Sequence, residues 1–101
     1  MNRTRIIIVR VYTTESSNLL KAIVAYLKNE AGIRGVTVHR GISGFGETGE
    51  HSSSLLDLSL DLPLVIEFFD SKEKIEPALT HLDKIMKAKH IVFWEASAND
   101  A

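Results

Sequence analysis

Hydrophobic positions along the chain change their spacing from one segment to the next, and these changes divide it into strands and helices. Residues 5–13 are rich in β-branched side chains, which predicts a strand. Apolar residues then recur at helical spacing, namely Leu19, Leu20, Ile23, Val24 and Leu27. This stripe predicts a helix over residues 18–31, and Gly32 stands where a glycine in the left-handed conformation commonly ends a helix.

The middle of the chain predicts two further strands separated by a long loop. Residues 34–41 have strand spacing, and residues 43–62 follow with glycines, a run of serines and charged side chains, which is loop composition. Toward the end of this loop, leucines alternate with polar residues as far as Pro63. That proline restricts the segment to a sheet edge or to a bent entry into the next strand, which residues 64–69 predict.

A second helix follows and contains a proline. Asp70 stands three residues before Glu73, the spacing of a capping box, and apolar positions then recur at helical spacing as far as Met86. Pro77 lies inside this pattern, where a proline removes a backbone hydrogen bond. Two interpretations are open: the helix bends at Pro77, or its regular part begins near that residue.

The remaining residues complete a single α+β domain over residues 1–101. Residues 91–95 predict a fourth strand, and residues 96–101 form a small polar tail that we expect to be frayed. The order of elements is therefore βαββαβ. With right-handed crossovers, both helices lie on the same face of a four-stranded sheet.

Apolar side chains occupy both faces of this predicted sheet. In the first strand, Ile6 and Ile8 alternate with Ile7 and Val9, and the third and fourth strands show the same double pattern. A face in contact with water should instead alternate polar with apolar residues. Because two helices cover only one face, the sequence predicts that another copy of the chain covers the other.

Composition and charge exclude several classes of function. With 12 Lys and Arg against 13 Asp and Glu, the formal net charge is -1, which argues against a nucleic-acid-binding surface. The absence of cysteine excludes disulfides, thiolate catalysis and cysteine-ligated metals, and it suits a reducing cytoplasm. No apolar run approaches the roughly 18 residues that span a bilayer. We therefore expect a cytoplasmic protein that does not insert directly into a membrane.

Two segments of the chain resemble a known family. They are residues 35–46, Gly-Val-Thr-Val-His-Arg-Gly-Ile-Ser-Gly-Phe-Gly, and residues 58–67, Leu-Ser-Leu-Asp-Leu-Pro-Leu-Val-Ile-Glu. Both resemble the PII-like family catalogued as domain of unknown function 190, and the resemblance extends over nearly the whole chain. More distantly, the chain is similar to PII signalling proteins and to the CutA family, which also have a leucine-proline entry into the third strand.

This resemblance implies a ferredoxin-like fold assembled as a homotrimer, with a long loop that corresponds to the PII T-loop. PII-type proteins bind adenine nucleotides in clefts between subunits and regulate a partner through that loop. By this resemblance the ligand is a small anion such as an adenine nucleotide, and no cofactor is required. The implied partner is a membrane transporter or channel that the loop contacts.

The candidate ligand-binding residues lie at the end of the second strand. The guanidinium of Arg40 suits bidentate pairing with phosphate or carboxylate, although a salt bridge between subunits is an equally good interpretation. Three glycines, Gly41, Gly44 and Gly46, permit positive φ and close approach of the backbone. Their amides are therefore candidates for an anion-binding nest, although glycines between strands also serve simply as turn residues.

Neighbouring side chains extend this candidate site. His39 precedes Arg40 on the opposite face of the strand and suits packing or hydrogen bonding as well as ligand contact. Phe45 can stack on a base or anchor the loop. Further positive charge is available from Arg34, Lys87 and Lys89, although such residues are commonly solvated surface groups.

Other functions have less support from the residues. Glu47, Glu50 and His51 offer oxygen and imidazole ligands for a metal, but their spacing matches no established motif. Acylphosphatases share the strand order, yet residues 13–17 lack the glycines and arginine of their phosphate loop, so no enzyme is predicted. A trimeric scaffold or metal-tolerance-type protein resembling CutA is the alternative function, and an amino-acid-binding ACT-like module shares the same topology.

Overall fold

Two helices pack against one face of a four-stranded antiparallel sheet, as the computed structural model of the chain shows for residues 2–46, 49–52 and 61–100. The helices are α1 (Leu20–Asn29) and α2 (Lys72–Asp83), with a 3-10 turn at Glu15–Ser17. The strands are β1 (Arg3–Thr14), β2 (Val36–Arg40), β3 (Ser43–Gly46), β4 (Gly49–Ser52), β5 (Pro63–Asp70) and β6 (Ile91–Asn99). The main sheet has the order β2-β5-β1-β6, which confirms the predicted α+β, ferredoxin-like fold.

The core lies between the apolar faces of the two helices and one face of the sheet, to which β1 contributes its odd-numbered residues and β5 its even-numbered residues. Val9 lies opposite Phe68 in the β1–β5 register and Val11 lies opposite Ile66, and all four side chains are buried. The helices contribute the fully buried side chains Ile23, Leu27, Ile75, Ala78 and Leu82. Burying each of these larger apolar side chains contributes roughly 1.5–3 kcal/mol. The core is therefore a single layer between the sheet and the helices.

The end of α1 follows the predicted glycine signal. Gly32 has φ +66°, and the amide of Ile33 donates to the carbonyl of Leu27 at 2.9 Å. Ile33 is thereby returned to the core, where it is 7% exposed. A side chain at position 32 would carry the strain of the left-handed conformation, which explains the glycine.

The ends of α2 differ from the predicted ones. Its N-cap residue is Ser71, not Asp70, and no side chain forms a cap hydrogen bond there. The Asp70 carboxylate instead accepts the amides of Ser71 at 2.8 Å and Arg34 at 3.1 Å, so it joins α2 to the segment before β2. Pro77 lies in the second turn of α2 on the exposed side, and the helix continues on both sides of it. The helix therefore begins well before Pro77.

Two segments predicted to lack regular structure contain strands. Within the predicted loop of residues 43–62, β3 and β4 form an antiparallel hairpin in which Phe45 lies opposite Glu50. At the C-terminus β6 runs through Asn99, because Arg3 and Thr4 at the start of β1 pair with Asn99 and Ala98. The prediction of a frayed tail is therefore wrong for residues 96–99. Residues 47–48 and 53–60 lie outside the described part of the chain.

The open face of the sheet is the face that neither helix covers. Its apolar side chains include Ile8, Tyr12, Val65, Phe69, Val92 and Trp94, of which the last three are 39%, 44% and 39% exposed in that order. Arg10 and Glu67 lie among them, with Nε and Oε1 2.7 Å apart, and the Arg10 guanidinium also lies over the ring of Trp94 at 5.4 Å. The sheet therefore carries apolar residues on both faces, as its strand patterns predict.

Candidate functional site

The loop end of the sheet is the edge at which β1 and β2 end and β5 and β6 begin. Thr14 lies opposite Pro63, and Arg40 lies opposite Leu64. The amide of Tyr12 donates to the carbonyl of His90 at 2.8 Å, which ties the α2–β6 connection to the same edge. Four elements that are distant in sequence therefore meet where the hairpin β3–β4 leaves the sheet.

Arg40 is the charged residue at the end of β2. Its Nε lies 2.5 Å from Oε1 of Glu15, in the 3-10 turn that follows β1. The side chain of Arg40 is 65% exposed and that of Glu15 is 28% exposed, so the carboxylate is the more enclosed partner. The ion pair lies within one subunit and leaves most of the guanidinium accessible to an external anion.

Gly41 has a steric role in this structure. A Cβ atom built on it would lie 2.6 Å from Cγ of Pro63, well inside van der Waals contact. Its amide donates to the carbonyl of Pro63 at 2.7 Å. Only a glycine lets β2 approach the start of β5 this closely, so the contact holds together the two ends of the segment between these strands.

The glycines do not form the expected anion-binding nest. Neither Gly41 nor Gly44 has φ in the left-handed region, and among the described glycines that region is occupied by Gly32. The amide of Gly41 is already bound to Pro63. Gly44 and Gly46 belong to the extended strand β3. Of the two properties that made these glycines candidates, the structure shows close backbone approach at Gly41 and no positive φ at Gly41 or Gly44.

Two further predicted residues are exposed. Phe45 lies in β3 and is 86% exposed, so it neither packs on the domain nor reaches the core. His39 lies opposite Val65 in the β2–β5 register, on the open face of the sheet, whereas Arg40 lies on the face toward the helices. The structure therefore groups Arg40 with Gly41 at the loop end and does not bring His39 or Phe45 to the same point.

A groove of about 170 Å³ lies at the loop end beside Glu15, and we call it the loop-end groove. Its lining combines hydroxyl groups with two basic residues and an apolar floor: Thr13, Thr14, Ser17, Leu19, Ile85, Met86, Lys87 and His90. Thr13 and Ser17 are joined by a hydrogen bond of 2.7 Å between their hydroxyls, and the Ser17 hydroxyl also donates to the carbonyl of Thr14. Such a lining can bind an anionic group together with an apolar ring.

Sequence reasoning missed the hydroxyl side of this groove. Residues 13–17 predict a helix start because serine and threonine are common N-cap residues, and nothing in their pattern places them beside the α2–β6 connection. Of the groove residues, Lys87 alone was among the predicted sources of positive charge. The available signal was the cluster of hydroxyl side chains after the first strand, since serine and threonine are among the side chains that donate to phosphate oxygens.

The metal-site prediction lies largely outside the described residues. Glu47 is not described, and the side chains of Glu50 and His51 are not described either. Across the part of the chain that the structure covers, no group of three or more His, Asp or Glu side chains is placed to hold a metal ion. Within the same residues, no helix is long and apolar enough to cross a membrane.

Comparison with known proteins identifies the family. The family model DUF190, described as "Uncharacterized ACR, COG1993", matches residues 1–98. A UPF0166 protein of Aquifex aeolicus (strain VF5) is 36% identical over 88 residues, which cover 86% of this chain and 90% of that protein.

Solved structures show the same fold. One is CPII, a nitrogen regulatory PII-like protein from Thiomonas intermedia K12, which was solved with bound ADP and bicarbonate. Its superposition on this chain has a TM-score of 0.70 and 18% sequence identity, and it covers 96% of this chain and 89% of CPII. The divalent ion tolerance protein CutA1 from Ehrlichia chaffeensis has a TM-score of 0.55 and 12% identity, over 95% of this chain and 83% of that one. These likenesses confirm both the PII-like and the CutA-like resemblance in fold. On the match of residues 1–98 to the family model, this chain belongs to the DUF190 family.

Proposed function

We propose that the protein is a trimeric PII-like regulatory protein that binds a small anionic ligand, an adenine nucleotide, at the loop end of each subunit. Binding changes the segment between β2 and β5, and that segment regulates a partner protein. The ligand acts as a signal, so the protein requires no cofactor and catalyses no reaction. We propose a membrane transporter or channel as the partner, with regulation from the cytoplasm.

The observation that carries this proposal is the chemistry assembled at the loop end. The loop-end groove places hydroxyls and Lys87 beside an apolar floor. Arg40 does not line the groove, but it pairs with Glu15 in the 3-10 turn that also contains the groove residue Ser17. Hydroxyl, ammonium and guanidinium groups are the usual donors to phosphate oxygens. CPII, which shares this fold, was solved with bound ADP, and that is consistent with a nucleotide as the ligand.

The open face of the sheet supports the trimer. Residues such as Phe69 and Trp94 are 39% exposed in the single chain, although they belong to one apolar surface. Burying apolar surface contributes about 25 cal/mol per Å², so covering this face with other copies stabilises the assembly. A groove of about 170 Å³ is also small for a nucleotide, since ligand sites are roughly 300–1,000 Å³. A neighbouring subunit would supply the remaining wall.

The hairpin β3–β4 supplies the proposed contact with a partner. It leaves the sheet next to Arg40, and Phe45 within it is 86% exposed. Ile42, which directly precedes the hairpin, is 79% exposed. Exposed aromatic residues are enriched where proteins meet other proteins. A ligand that binds near the start of the hairpin can therefore change how Ile42 and Phe45 are presented to the partner.

Thermal unfolding with a panel of ligands tests the proposal. The purified protein is unfolded with ADP, AMP, cyclic nucleotides and bicarbonate, and its mass is measured by light scattering. A ligand at about 100 times its dissociation constant stabilises the native state by roughly 2.7 kcal/mol, which gives a clear rise in Tm. Arg40→Gln and Lys87→Gln should reduce this rise. Lys84→Gln is the matched control, because Lys84 is exposed nearby but does not line the loop-end groove.

Each part of the proposal can fail separately. A monomer at the highest dilution contradicts the trimer. A trimer whose Tm responds to no ligand contradicts the sensor and favours a scaffold that recognises its partner directly, as in the CutA-like alternative. A Tm rise of equal size in Arg40→Gln and Lys87→Gln places the ligand elsewhere on the protein.

A further inference from the structure

A second groove lies at the opposite end of the sheet, and we call it the far groove. At this end β1 begins, β5 ends and Ile7 lies opposite Asp70. The far groove has a volume of about 390 Å³, at the lower end of the usual range for small-molecule sites. The residues that line it come from β1, the α1–β2 connection and the start of α2: Thr4, Arg5, Ile6, Arg34, Asp70, Ser71 and Lys74.

Positive charge predominates in the far groove. Arg5, Arg34 and Lys74 belong to three different elements, so the fold and not a local run of sequence brings them together. Asp70 is the carboxylate in the lining, and both of its oxygens already accept backbone amides, at 2.8 Å from Ser71 and 3.1 Å from Arg34. These amides stabilise the carboxylate and occupy both of its oxygens, and the three basic side chains still outnumber its one negative charge.

The basic side chains keep donors available for a ligand. Lys74 uses one donor, from Nζ to the carbonyl of Gly32 at 2.8 Å, and an ammonium group has three. The Arg34 guanidinium lies 5.9 Å from the centre of the Phe69 ring, a contact that leaves its N–H groups free to donate. Among the described residues, neither Arg5 nor Arg34 has a carboxylate within ion-pair distance.

The position of Lys74 is unfavourable for the helix itself. It lies in the first turn of α2, where the helix dipole favours acidic side chains and disfavours basic ones. An anion in the far groove would reverse this penalty, since it would be attracted by both the lysine and the helix end. Two carboxylates lie beside the arginines without lining the far groove, Glu95 on β6 beside Arg5 and Glu67 on β5 beside Arg34.

We propose that the far groove binds the phosphate group of a small ligand, with Arg5, Arg34 and Lys74 as its side-chain donors. Guanidinium groups pair bidentately with phosphate oxygens, and a lysine adds a compact positive charge beside them. The volume of the groove leaves space for an organic part beyond the phosphate. This site shares no residue with the loop-end groove, so it does not depend on the proposed nucleotide function.

Amide NMR spectra of the full-length protein, titrated with inorganic phosphate and with pyrophosphate at constant ionic strength, test this inference. Saturable shifts are expected at the amides of Arg34, Ser71 and Lys74. Arg34→Gln should weaken binding about tenfold, because it removes a charge-assisted bidentate contact. This variant keeps the fold, since Asp70 binds the backbone amide of residue 34 and not its side chain. Lys72→Gln is the matched control, because Lys72 pairs with Glu76 in the same turn and does not line the groove.

Three outcomes decide the matter. Saturable shifts at the far groove that weaken in Arg34→Gln, and persist in Lys72→Gln and Arg40→Gln, support the inference. Shifts that remain equally strong in both Arg34→Gln and Arg5→Gln overturn it, because the anion would then be bound by other groups. Shifts confined to the loop end also overturn it.

Discussion

The contact between Gly41 and Pro63 gives a sharp test of how the loop end is built. In Gly41→Ala, the new Cβ would lie 2.6 Å from Cγ of the Pro63 ring unless the chains move apart. A proline ring has little freedom to turn away, and Pro63 is held at the start of β5 opposite Thr14. The strand ends must therefore separate, which also stretches the 2.7 Å hydrogen bond from the Gly41 amide to the Pro63 carbonyl.

The size of the effect follows from these two contacts. Overpacking a close contact costs about 1–3 kcal/mol, and weakening a backbone hydrogen bond adds about 1 kcal/mol. Against this, alanine reduces the entropy of the unfolded chain and stabilises by about 0.4–1 kcal/mol. We therefore expect Gly41→Ala to lower the free energy of unfolding by about 1–3 kcal/mol, measured by urea denaturation at constant protein concentration.

Gly35→Ala is the matched control for this measurement. Gly35 precedes β2 just as Gly41 follows it, but a Cβ there meets nothing within 4 Å, and its φ is not in the left-handed region. Gly35→Ala should therefore be neutral or slightly stabilising. If Gly41→Ala proves as stable as Gly35→Ala, then the close approach of β2 to Pro63 does not exist in solution and the described geometry of the loop end is wrong.

Two further predictions concern charge and pH. Glu15→Gln removes the carboxylate that pairs with Arg40 and competes with the ligand for it. Because such an ion pair is worth roughly 0.2–1 kcal/mol, ADP should bind up to about fivefold tighter in calorimetry. Weaker ADP binding would contradict a role for Arg40 in the site. Burial raises the pKa of Tyr26, with a smaller contribution from Glu30, and its ring stacks on His81 at 3.7 Å. The folded state therefore holds this proton more tightly, so its contribution to stability is present below pH 10 and is lost as the pH rises through the raised pKa. Tyr26→Phe keeps the stack and should lose less stability between pH 9 and pH 11 in urea denaturation; identical losses in both proteins would contradict this.

The fold was predictable because its signals are local. The change of period at the start of α1 reflects burial of one side of that helix, and Gly32 shows the positive φ expected of a helix-ending glycine. The apolar residues on both faces of the sheet were predictable for the same reason, since strand parity alone assigns Ile7 and Ile8 to opposite faces.

The site was harder to predict because it depends on contacts between distant segments. Arg40 was chosen for its chemistry, yet its ion pair with Glu15 joins residues from different elements and has no local signature. The glycines were candidates for an anion-binding nest or for turn residues, whereas the structure shows that Gly41 must be glycine because Pro63 lies against it. Strand β6 was predicted too short because the small polar residues after Glu95 resemble a tail, although pairing with β1 keeps them in the sheet.

The two proposed anion sites lie at opposite ends of β1, and this separation makes their tests independent. Arg5 lines the far groove and Thr13 lines the loop-end groove, and the eight steps along the extended strand from one to the other span roughly 26 Å at 3.3 Å per residue. That distance is about three Debye lengths at physiological salt, so a charge removed at one end hardly changes the potential at the other. Variants at Arg34 and Arg40 should therefore have additive effects on stability and separate effects on binding. Coupling between them would have to pass through the sheet itself, which would make β1 a rigid connection between two ligand sites and not merely the centre of the core.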